Sequence, residues 1–416
     1  MSIKRTLEKL PFYNQAVLPY HFIQSVAALT KYHHPAKRLR VIGVTGTNGK
    51  TTTCFMLWQT LRHAGFKAGL MTTVAWGVDE LEPELGHMTT VDAFTLNQRI
   101  KSIADAGAEF LVLEVTSHAL VEFRTLGIDF ELAIFTNLSH DHLDYHKTFA
   151  AYRDAKGKLF RRARLSILNA DDSATPYYQT LSKKYITYGI KSGDFRAKSI
   201  KLGVSGVKYS CGDMNITTQI PGEFNVYNSL AAALAAKELG LTATQIESGI
   251  NSLTSVEGRM TIIDEGQPFT VIVDYAHAPD ALEKVFDSIP HDRKGKVITV
   301  HGGAGRRDPS TRAIRGRILA KYSDLVIITE DDSRDEDPEA IAAEFIKGAT
   351  EQGRVLGRDL IKELDRKKAI ALALSSAHPG DIVLILGKGH EKSILRADGP
   401  HPFSDIEVTR NLLSHQ

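Results

Sequence analysis

Short apolar runs alternate with helical patterns along the first half of the chain. The strand-sized run RVIGV (40–44) precedes a helical pattern over residues 50–64, and a second strand near 69–74 precedes a helix near 96–106. The runs FLVLEV (110–115) and LAIFTNL (132–138) are again strand-sized. Strands that alternate with helices indicate a mostly parallel sheet covered on both faces. The pattern therefore predicts an α/β fold.

The pattern changes twice further along the chain. Residues 195–220 alternate polar and apolar positions between glycines, which predicts an antiparallel appendage, and an alanine-rich helix follows at 226–240. A second alternation starts at residue 269, with FTVIVDYA, KVITVHGG, DLVIITE and DIVLILG as strands. We predict a short N-terminal segment (1–39), a central P-loop domain with a mostly parallel sheet (40–257), and a smaller Rossmann-like α/β domain (258–416).

Composition narrows the function classes. The 51 Lys and Arg residues nearly balance the 49 Asp and Glu residues, so no nucleic-acid partner is expected. Cys54 and Cys211 match no metal or redox spacing, which is typical of buried thiols in a reducing compartment. No apolar run has the length of a signal peptide core or a membrane span. We expect a cytoplasmic protein without a membrane span that acts as a monomer.

The segment GVTGTNGKTTT (43–53) follows a strand and opens a helix. Small residues there let backbone N–H groups surround phosphate oxygens, while Lys50 can reach the β- and γ-phosphates and Thr51 can bind Mg²⁺. The usual spacing of this motif would place glycine at 44, where the chain has Val44, and a plain glycine-rich turn is the alternative. The segment predicts a site for a nucleoside triphosphate, formed by Gly46, Thr47, Asn48, Gly49, Lys50, Thr51 and Thr52.

Polar side chains follow two of the predicted strands. Glu114 ends the run FLVLEV, at the carboxyl edge of the sheet where ligands of open α/β sheets bind. The alternative for Glu114 is an acid that faces solvent. The segment SHDHLDYH (139–146) follows the next strand and offers His140, Asp141, His142, Asp144 and His146. Zinc is conceivable, but the neighbouring phosphate loop makes Mg²⁺ the more natural ion.

Lys156 lies in the apolar stripe of a predicted helix. In TFAAYRDAKGKLF, helical spacing places Lys156 on the same face as Phe149, Tyr152 and Leu159. A lysine that extends past its neighbours to solvent and an ion pair with Asp144 are two structural alternatives. A functional role would exploit burial, because a buried lysine loses its charge more readily.

Several motifs together carry a resemblance to a known family. They are TGTNGKTTT, EVTSHAL, FTNLSHDHLDYH, YRDAKGKLF, PGEFNVYNSLAAALA, GRM, VDYAHAPDAL, GRRD and GKGHE, in unbroken order from residue 41 onward. This set closely resembles the Mur ligase family, in particular its MurE type. The resemblance implies an ATP-dependent amide ligase that forms an acyl phosphate, releases ADP and phosphate, and adds an amino acid to a nucleotide-linked muramyl peptide in peptidoglycan synthesis.

The resemblance also assigns residues to ATP and metal. Asn228 would contact the adenine edge and Arg259 the phosphates, while Asp274 and His277 would hold the ribose and adenine side. The alternative for Asn228, a poor helix former, is exposure on the surface. Two Mg²⁺ ions are implied, with Lys156 carbamylated by CO₂ to become a carboxylate-like ligand. The implied metal ligands are Thr51, Glu114, His142 and Lys156, and the implied catalytic residues are Lys50, Glu114, His142 and Lys156.

The acceptor site implied by the resemblance departs from the family. A muramyl-peptide-like acceptor would be held by Thr89, Thr90, Thr116 and Arg124, since small hydroxyls and an arginine suit an anionic ligand. Glu122 stands where the family usually has glutamine. About 40 residues precede the phosphate loop, less than the ~50 of a small domain, so we expect the usual uridine-nucleotide domain to be missing.

The segment EDDSRDEDP (330–338) matches the loop that selects the amino acid. Members that add diaminopimelate carry Asp-Asn-Pro-Arg there; Asp331 and Arg334 match, whereas Asp332 and Ser333 replace the other two residues. An arginine can pair with the distal carboxylate of diaminopimelate, which lysine lacks. The residues expected to bind a diaminopimelate-like amino acid are Arg307, Asp332, Arg334, Gly387 and Glu391. The charge of Asp332 leaves lysine or ornithine open, and a solvated loop is a further alternative.

The sequence therefore predicts a MurE-like ligase that uses ATP, an amino acid and a muramyl-peptide-like acceptor. One alternative is a related ligase with another acceptor, of the folylpolyglutamate or poly-amino-acid type. Another is a non-catalytic nucleotide sensor or assembly subunit, which would be expected to lose Lys156 or Glu114; both are present.

Overall fold

The computed structural model describes residues 16–84, 89–203, 206–289 and 293–414. The chain divides into two compact units. The first comprises the chain to Leu202 together with Gly206–Gln219 and Glu223–Thr254, and the second comprises Ile220–Gly222 and Ser255 onward. Among the described residues, no helix combines the length and the apolar character needed to cross a membrane.

The described residues of the first unit form a nine-stranded sheet in the order β4-β3-β2-β5-β1-β6-β7-β8-β9. Strand β1 pairs in parallel with β5 and β6, and β5 also pairs in parallel with β2. The neighbouring strands from β6 to β9 pair in parallel as well. At the other edge, β2 with β3 and β3 with β4 pair antiparallel. The predicted mostly parallel α/β sheet is confirmed. The strands are β1 Arg40–Thr45, β2 Ala68–Met71, β3 Ala75–Gly77, β4 Leu81–Pro83, β5 Phe110–Glu114, β6 Phe130–Phe135, β7 Leu165–Asn169, β8 Tyr185–Gly189 and β9 Phe195–Arg196.

The helices of this unit cover the sheet. They are α1 Leu18–Tyr32, α2 Lys50–His63, α3 Ala93–Asp105, α4 Ser117–Val121, α5 Leu143–His146, α6 Phe149–Arg162, α7 Thr175–Leu181, α8 Phe224–Glu238 and α9 Ala243–Asn251, with a 3-10 turn at Pro35–Arg38. Helix α3 begins earlier than predicted because the Asp92 side chain accepts the backbone N–H groups of Phe94 and Thr95. Both cysteines are buried free thiols.

The appendage predicted over residues 195–220 needs one correction. Strands β10 Lys198–Gly203, β11 Gly206–Cys211 and β12 Met214–Thr218 do form a separate sheet, and β11 and β12 pair antiparallel. However, Phe195 and Arg196 pair in parallel with β8 and extend the large sheet. The period-two pattern could not locate this change of sheet, because it specifies alternating faces and not the partner strand.

The second unit contains a six-stranded sheet among its described residues, in the order β13-β14-β18-β15-β16-β17. Only β13 is antiparallel to its neighbour. The strands are β13 Thr261–Ile263, β14 Thr270–Asp274, β15 Val297–Gly303, β16 Leu325–Glu330, β17 Leu360–Lys362 and β18 Ile382–Leu386, with a hairpin of β19 Ser393–Arg396 and β20 Gly399–Pro402. The helices are α10 Pro279–Asp287, α11 Ser310–Tyr322, α12 Pro338–Thr350, α13 Arg366–Ser375 and α14 Asp405–Leu413.

A buried ion pair connects the elements of the second sheet near its carboxyl edge. The guanidinium of Arg366 donates to both carboxylate oxygens of Asp405 at 2.7 and 2.8 Å, and neither side chain is exposed to solvent. Arg366 also donates to the carbonyl oxygens of Glu330 at 3.2 Å and Leu386 at 3.1 Å, which end strands β16 and β18. This network attaches α13 and α14 to the carboxyl edge of the second sheet, where the polar loops after β16 and β18 begin.

Candidate active site

The phosphate loop is held by the segment that follows strand β6. The backbone N–H of Thr47 donates to the Asn137 carbonyl at 2.8 Å, and that of Asn48 donates to Asn137 Oδ1 at 3.0 Å. The Thr136 hydroxyl donates to the Asn48 carbonyl at 2.7 Å. Gly46 leaves no room for a side chain, because a Cβ there would lie 1.9 Å from Thr136 Oγ1. The loop therefore has one defined conformation at the carboxyl edge of the sheet.

Glu114 lies directly behind the loop. The Thr51 hydroxyl donates to Glu114 Oε2 at 3.0 Å, and Lys50 Nζ lies 4.0 Å from Glu114 Oε1. Glu114 is 2% exposed, so the alternative of an acid that faces solvent is wrong. The adjacent oxygens of Thr51 and Glu114 are hard donors of the kind that Mg²⁺ prefers, and they fit the expected ion.

Lys156 is buried on helix α6, as its helical spacing predicts. Its ammonium nitrogen donates to the Gly46 carbonyl at 2.8 Å and lies 4.5 Å from the ring centroid of Tyr152. Burial, and secondly the positive charge of Lys50, hold the pKa of Lys156 well below its ordinary value. Lys156 does not extend to solvent, since it is 2% exposed. The other structural alternative, an ion pair with Asp144, involves a side chain outside the described residues.

The histidine-rich segment after β6 packs close to Lys156. The ring of His142 lies 6.0 Å from that of Tyr152 and 4.9 Å from that of His118, and its Nε2 is 3.4 Å from Asp141. His140 instead stacks on Phe149 with a centroid separation of 4.9 Å. The Tyr152 ring is thus close to both His142 and the Lys156 ammonium.

His146 is a structural member of this segment. Its Nε2 lies 2.9 Å from the Ser117 hydroxyl at the start of helix α4. Burial, and then the charges of Lys156 and Lys158, lower the pKa of His146 to about 4. The imidazole is therefore neutral at pH 7 and connects α5 to α4.

Asn228 contacts the start of helix α2. The Thr53 hydroxyl donates to Asn228 Oδ1 at 3.4 Å, and the Asn228 amide donates to Asn225 Oδ1 at 2.9 Å. The side chain is 4% exposed, so the surface alternative is wrong. Gly49 has a φ of 81°, and a Cβ on it would lie 2.2 Å from Asn228 Oδ1. The asparagine and the glycine are thus in close contact beside the loop.

The candidate acceptor residues form one hydrogen-bonded group beyond strand β5. The Thr90 hydroxyl donates to the Glu114 carbonyl at 3.0 Å and accepts the backbone N–H of Thr116 at 3.1 Å. Arg124 donates to the carbonyl of Thr90. Thr89 precedes this group in the chain and is partly exposed. The same strand end therefore carries both Glu114 and three of the four residues expected to hold an acceptor.

Arg259, Asp274 and His277 meet around strand β14 in the second unit. Asp274 accepts the backbone N–H groups of Met260 at 2.7 Å and Ala276 at 2.8 Å, and burial raises its pKa. The guanidinium of Arg259 lies 4.5 Å from the ring centroid of Tyr275. The Nδ1 of His277 is 3.0 Å from the Tyr275 carbonyl. Asp274 therefore holds the backbone on either side of it, and its expected contact with the ribose and adenine side of ATP stays a prediction.

A buried lysine contacts the first half of the loop that is expected to select the amino acid. Lys388 Nζ donates to Asp332 Oδ1 and Glu391 Oε2, both at 2.8 Å, and to Asp331 Oδ1 at 3.3 Å. Burial alone would lower the pKa of Lys388, but the three carboxylates outweigh it and raise the pKa above its ordinary value. Asp332 Oδ1 also accepts the backbone N–H of Leu395 at 3.0 Å. The three carboxylates could hold a metal ion by spacing alone, but the ammonium lies among them.

Arg334 follows these buried residues and forms no ion pair within the described ranges, although the charges of Asp332 and Glu391 act on it. It has a φ of 57°, and within the described ranges its guanidinium donates no hydrogen bond to another side chain. Burial, and then the positive charge of Arg307, lower the pKa of Arg334. Arg307 is exposed, and Gly387 donates to the Asp274 carbonyl at 3.1 Å. Residues 330–333 are buried, so the solvated-loop alternative is wrong for them.

Sequence reasoning missed three residues of these sites. Thr73 donates both its backbone N–H and its hydroxyl to Glu114 Oε2 at 3.1 Å. Lys388 and Arg366 organise the second unit. Lys388 stands between the two glycines of GKGHE, directly after the apolar run of strand β18, and this position of a charge was the available signal. Thr73 and Arg366 carried no comparable signal.

The fold and these loops define the class of protein. A parallel sheet whose first strand enters a glycine-rich phosphate loop is typical of proteins that bind the phosphates of a nucleotide, and here a second, mostly parallel α/β unit follows. The family models agree: residues 44–236 match the Mur ligase middle domain, and residues 258–389 match the Mur ligase glutamate ligase domain. The chain belongs to the Mur ligase family and is a ligase.

Individual relatives are consistent with the family. The chain is 38% identical over 415 residues to the UDP-N-acetylmuramoyl-L-alanyl-D-glutamate–2,6-diaminopimelate ligase of Bacillus cereus, with 96% of this chain and 83% of the relative covered. A solved structure of a ligase with that name superposes with a TM-score of 0.63 at 32% identity, covering 91% of this chain and 79% of the other. The folylpolyglutamate synthase of Mycobacterium tuberculosis shares the fold, with a TM-score of 0.71 at 17% identity, covering 88% and 92% of the two chains.

The contact between Gly49 and Asn228 generates a prediction. Gly49→Ala should lower the free energy of unfolding by more than the ~1 kcal/mol typical of alanine at a positive φ. Gly65→Ala is the matched control, because Gly65 has a φ of 91° but open space around its Cα. Urea unfolding of the two variants separates crowding from backbone strain. Equal losses in both variants would contradict a tight contact at Gly49.

Proposed function

We propose that this protein is an ATP-dependent amide ligase of peptidoglycan synthesis. It joins a diaminopimelate-like amino acid to a carboxylate of a muramyl-peptide-like acceptor. The observation that carries the proposal is the convergence of Lys50, Thr51 and buried Lys156 on one phosphate loop, with Glu114 behind it. Two anions, the acceptor carboxylate and the γ-phosphate, must meet in such a reaction, and positive charge at that point lowers the barrier.

The proposed reaction has two steps. An acceptor carboxylate oxygen attacks the γ-phosphorus, the bond to ADP breaks, and an acyl phosphate forms. The neutral amine of the amino acid then attacks the carbonyl carbon, and inorganic phosphate leaves with the proton. Lys50 is proposed to contact the transferring phosphoryl group, since its ammonium lies on the phosphate loop, where it donates to the Thr47 carbonyl at 2.8 Å and lies 4.0 Å from Glu114 Oε1.

Four residues would hold the proposed ions. Thr51 and Glu114 would supply oxygen ligands, and His142 and a carbamylated Lys156 would supply the others; Mg²⁺ bound there would neutralise phosphate charge. The lowered pKa of Lys156 supports carbamylation, because only a neutral amine reacts with CO₂. In the free protein Lys156 positions the loop through the Gly46 carbonyl.

The amino acid is proposed to present a distal carboxylate to Arg334 and Arg307. Two neighbouring guanidinium groups of like charge favour an anion between them. Asp332, whose charge would favour a second ammonium, already accepts hydrogen bonds from Lys388 and from the backbone of Leu395. This favours diaminopimelate over lysine or ornithine.

The direct test is phosphate release with ATP and Mg²⁺ across a matrix of acceptors and amino acids. Lys50→Ala should lower turnover by at least about a hundredfold, because the phosphoryl group loses its cation. Lys67→Ala is the matched control, since Lys67 lies on the same unit but is exposed and pairs with Asp79 at 3.4 Å. Turnover with folate or poly-amino-acid acceptors alone would favour the alternative ligase, and near-native turnover of Lys50→Ala would contradict the phosphate site.

Lys156→Ala should be nearly inactive, and short carboxylates in the buffer should partly restore it. The reason is that a small carboxylate can occupy the space and supply the charge of a carbamate. Rescue is measured as turnover against acetate or propionate concentration, with Lys158→Ala on the same helix as the control. Two observations together would exclude the carbamate. Crystals of the native enzyme grown with bicarbonate would show an unmodified Lys156, and Lys156→Ala would be fully active.

Arg334→Ala should reduce the preference for meso-diaminopimelate over L-lysine. Truncating one half of a buried charged pair typically costs about 2–5 kcal/mol, while ATP binding should change little. The kcat/KM ratio for the two amino acids measures the effect. Arg306→Ala is the matched control, because Arg306 lies nearby but already pairs with Asp335 at 2.5 and 2.6 Å. A ratio that does not move, or a native preference for lysine, means that Arg334 does not select the amino acid.

A further inference from the structure

The inference concerns Glu122 and Arg124 at the end of helix α4. Arg124 Nε donates to Glu122 Oε2 at 2.9 Å, and Nη2 donates to the same oxygen. The other oxygen of Glu122 accepts the hydroxyl of Tyr145 at 3.1 Å. The side chains of Arg124 and Glu122 are 16% and 11% exposed, so the pair is largely shielded from water. The positive charge of Arg124 is matched by a close carboxylate.

This ion pair belongs to the group of residues expected to hold the acceptor. Arg124 donates to the carbonyl of Thr90, and the hydroxyl of Thr90 accepts the backbone N–H of Thr116. Thr90 in turn bonds the carbonyl of Glu114, beside the phosphate loop. An acceptor group that approaches Arg124 therefore also approaches the carboxylate of Glu122.

Charge decides which group fits beside this pair. A second carboxylate on the acceptor would be attracted by Arg124 but repelled by Glu122, which carries no donor for it. A primary carboxamide fits both Glu122 and Arg124. Its N–H can donate to the Glu122 carboxylate, and its oxygen can accept from the Arg124 guanidinium. Glutamine at position 122, the usual family residue, would leave the charge of Arg124 uncompensated and suited to an anion.

We propose that Glu122 determines acceptor specificity and selects an acceptor whose group beside Arg124 is an uncharged carboxamide. The reacting carboxylate is then the only carboxylate of the acceptor's terminal residue. This inference rests on the proposed function only in assigning Arg124 to the acceptor site. It narrows the muramyl-peptide-like class to amidated members.

The test compares two synthetic acceptors that differ at one group. One is UDP-N-acetylmuramoyl-L-alanyl-D-glutamate, and the other is the same molecule with its non-reacting carboxylate converted to a carboxamide. Equilibrium binding and kcat/KM are measured for both, with ATP, Mg²⁺ and diaminopimelate in the kinetic assay. The native protein should prefer the carboxamide at least tenfold, and Glu122→Gln should reduce or reverse that preference by at least tenfold.

Glu131→Gln is the matched control. Glu131 forms an equally close two-point pair with Arg40, both bonds being 2.7 Å, but it lies on strand β6 outside the candidate sites. Its substitution should leave the acceptor preference unchanged. Urea unfolding of both variants checks that they fold. If Glu122→Gln does not fold, the preference of the native protein between the two acceptors still tests the inference.

The outcomes separate this inference from the proposed function. Turnover of both acceptors with equal kcat/KM, or a native preference for the dicarboxylate, overturns the role of Glu122 and leaves the ligase assignment intact. Tighter binding of the carboxamide without turnover of either acceptor supports the role of Glu122 and counts against the ligase assignment. Failure of both acceptors to bind overturns both.

Discussion

The carboxylate of Glu114 is the interaction on which the first unit depends. A buried charge is tolerated only when it is paired and hydrogen-bonded, and Glu114 receives donors from Thr51 and Thr73 while facing Lys50. Its backbone carbonyl also accepts the hydroxyl of Thr90. One residue at the end of β5 thus connects the phosphate loop, the turn between β2 and β3, and the segment that carries Thr90. Displacing it would disturb all three.

The parts of the fold and site that depend on local sequence were predictable. The alternation of strands and helices follows from periodicity, and Lys156 is buried because helical spacing places it beside Tyr152 and Leu159. The phosphate loop is contiguous in sequence, so its residues could be named together. Asn228 was less certain, because an asparagine in an alanine-rich helix does not itself indicate which side is buried.

The parts that depend on strand order were not predictable. Strand β5 pairs with both β1 and β2, and β18 lies between β14 and β15, so neighbours in space are far apart in sequence. Thr73 meets Glu114, and Arg366 meets Asp405, only because of these crossovers. The contact of Lys388 with two of its partners depends on the same arrangement, since residues 331 and 332 follow β16 and residue 388 follows β18. Charge pairing across a sheet edge has no signature in a single sequence.

The lysine among the three carboxylates has a consequence for the transfer of this loop between related proteins. Residues 331 and 332 share a counter-ion that belongs to a segment more than fifty positions away, as the separations of 57 and 56 residues show. Grafting the loop alone into another scaffold would bury two acids without their counter-ion, a strongly unfavourable arrangement. The loop and the GKGHE segment therefore form a single transferable module, and recombination that separates them would be expected to produce misfolded chimeras.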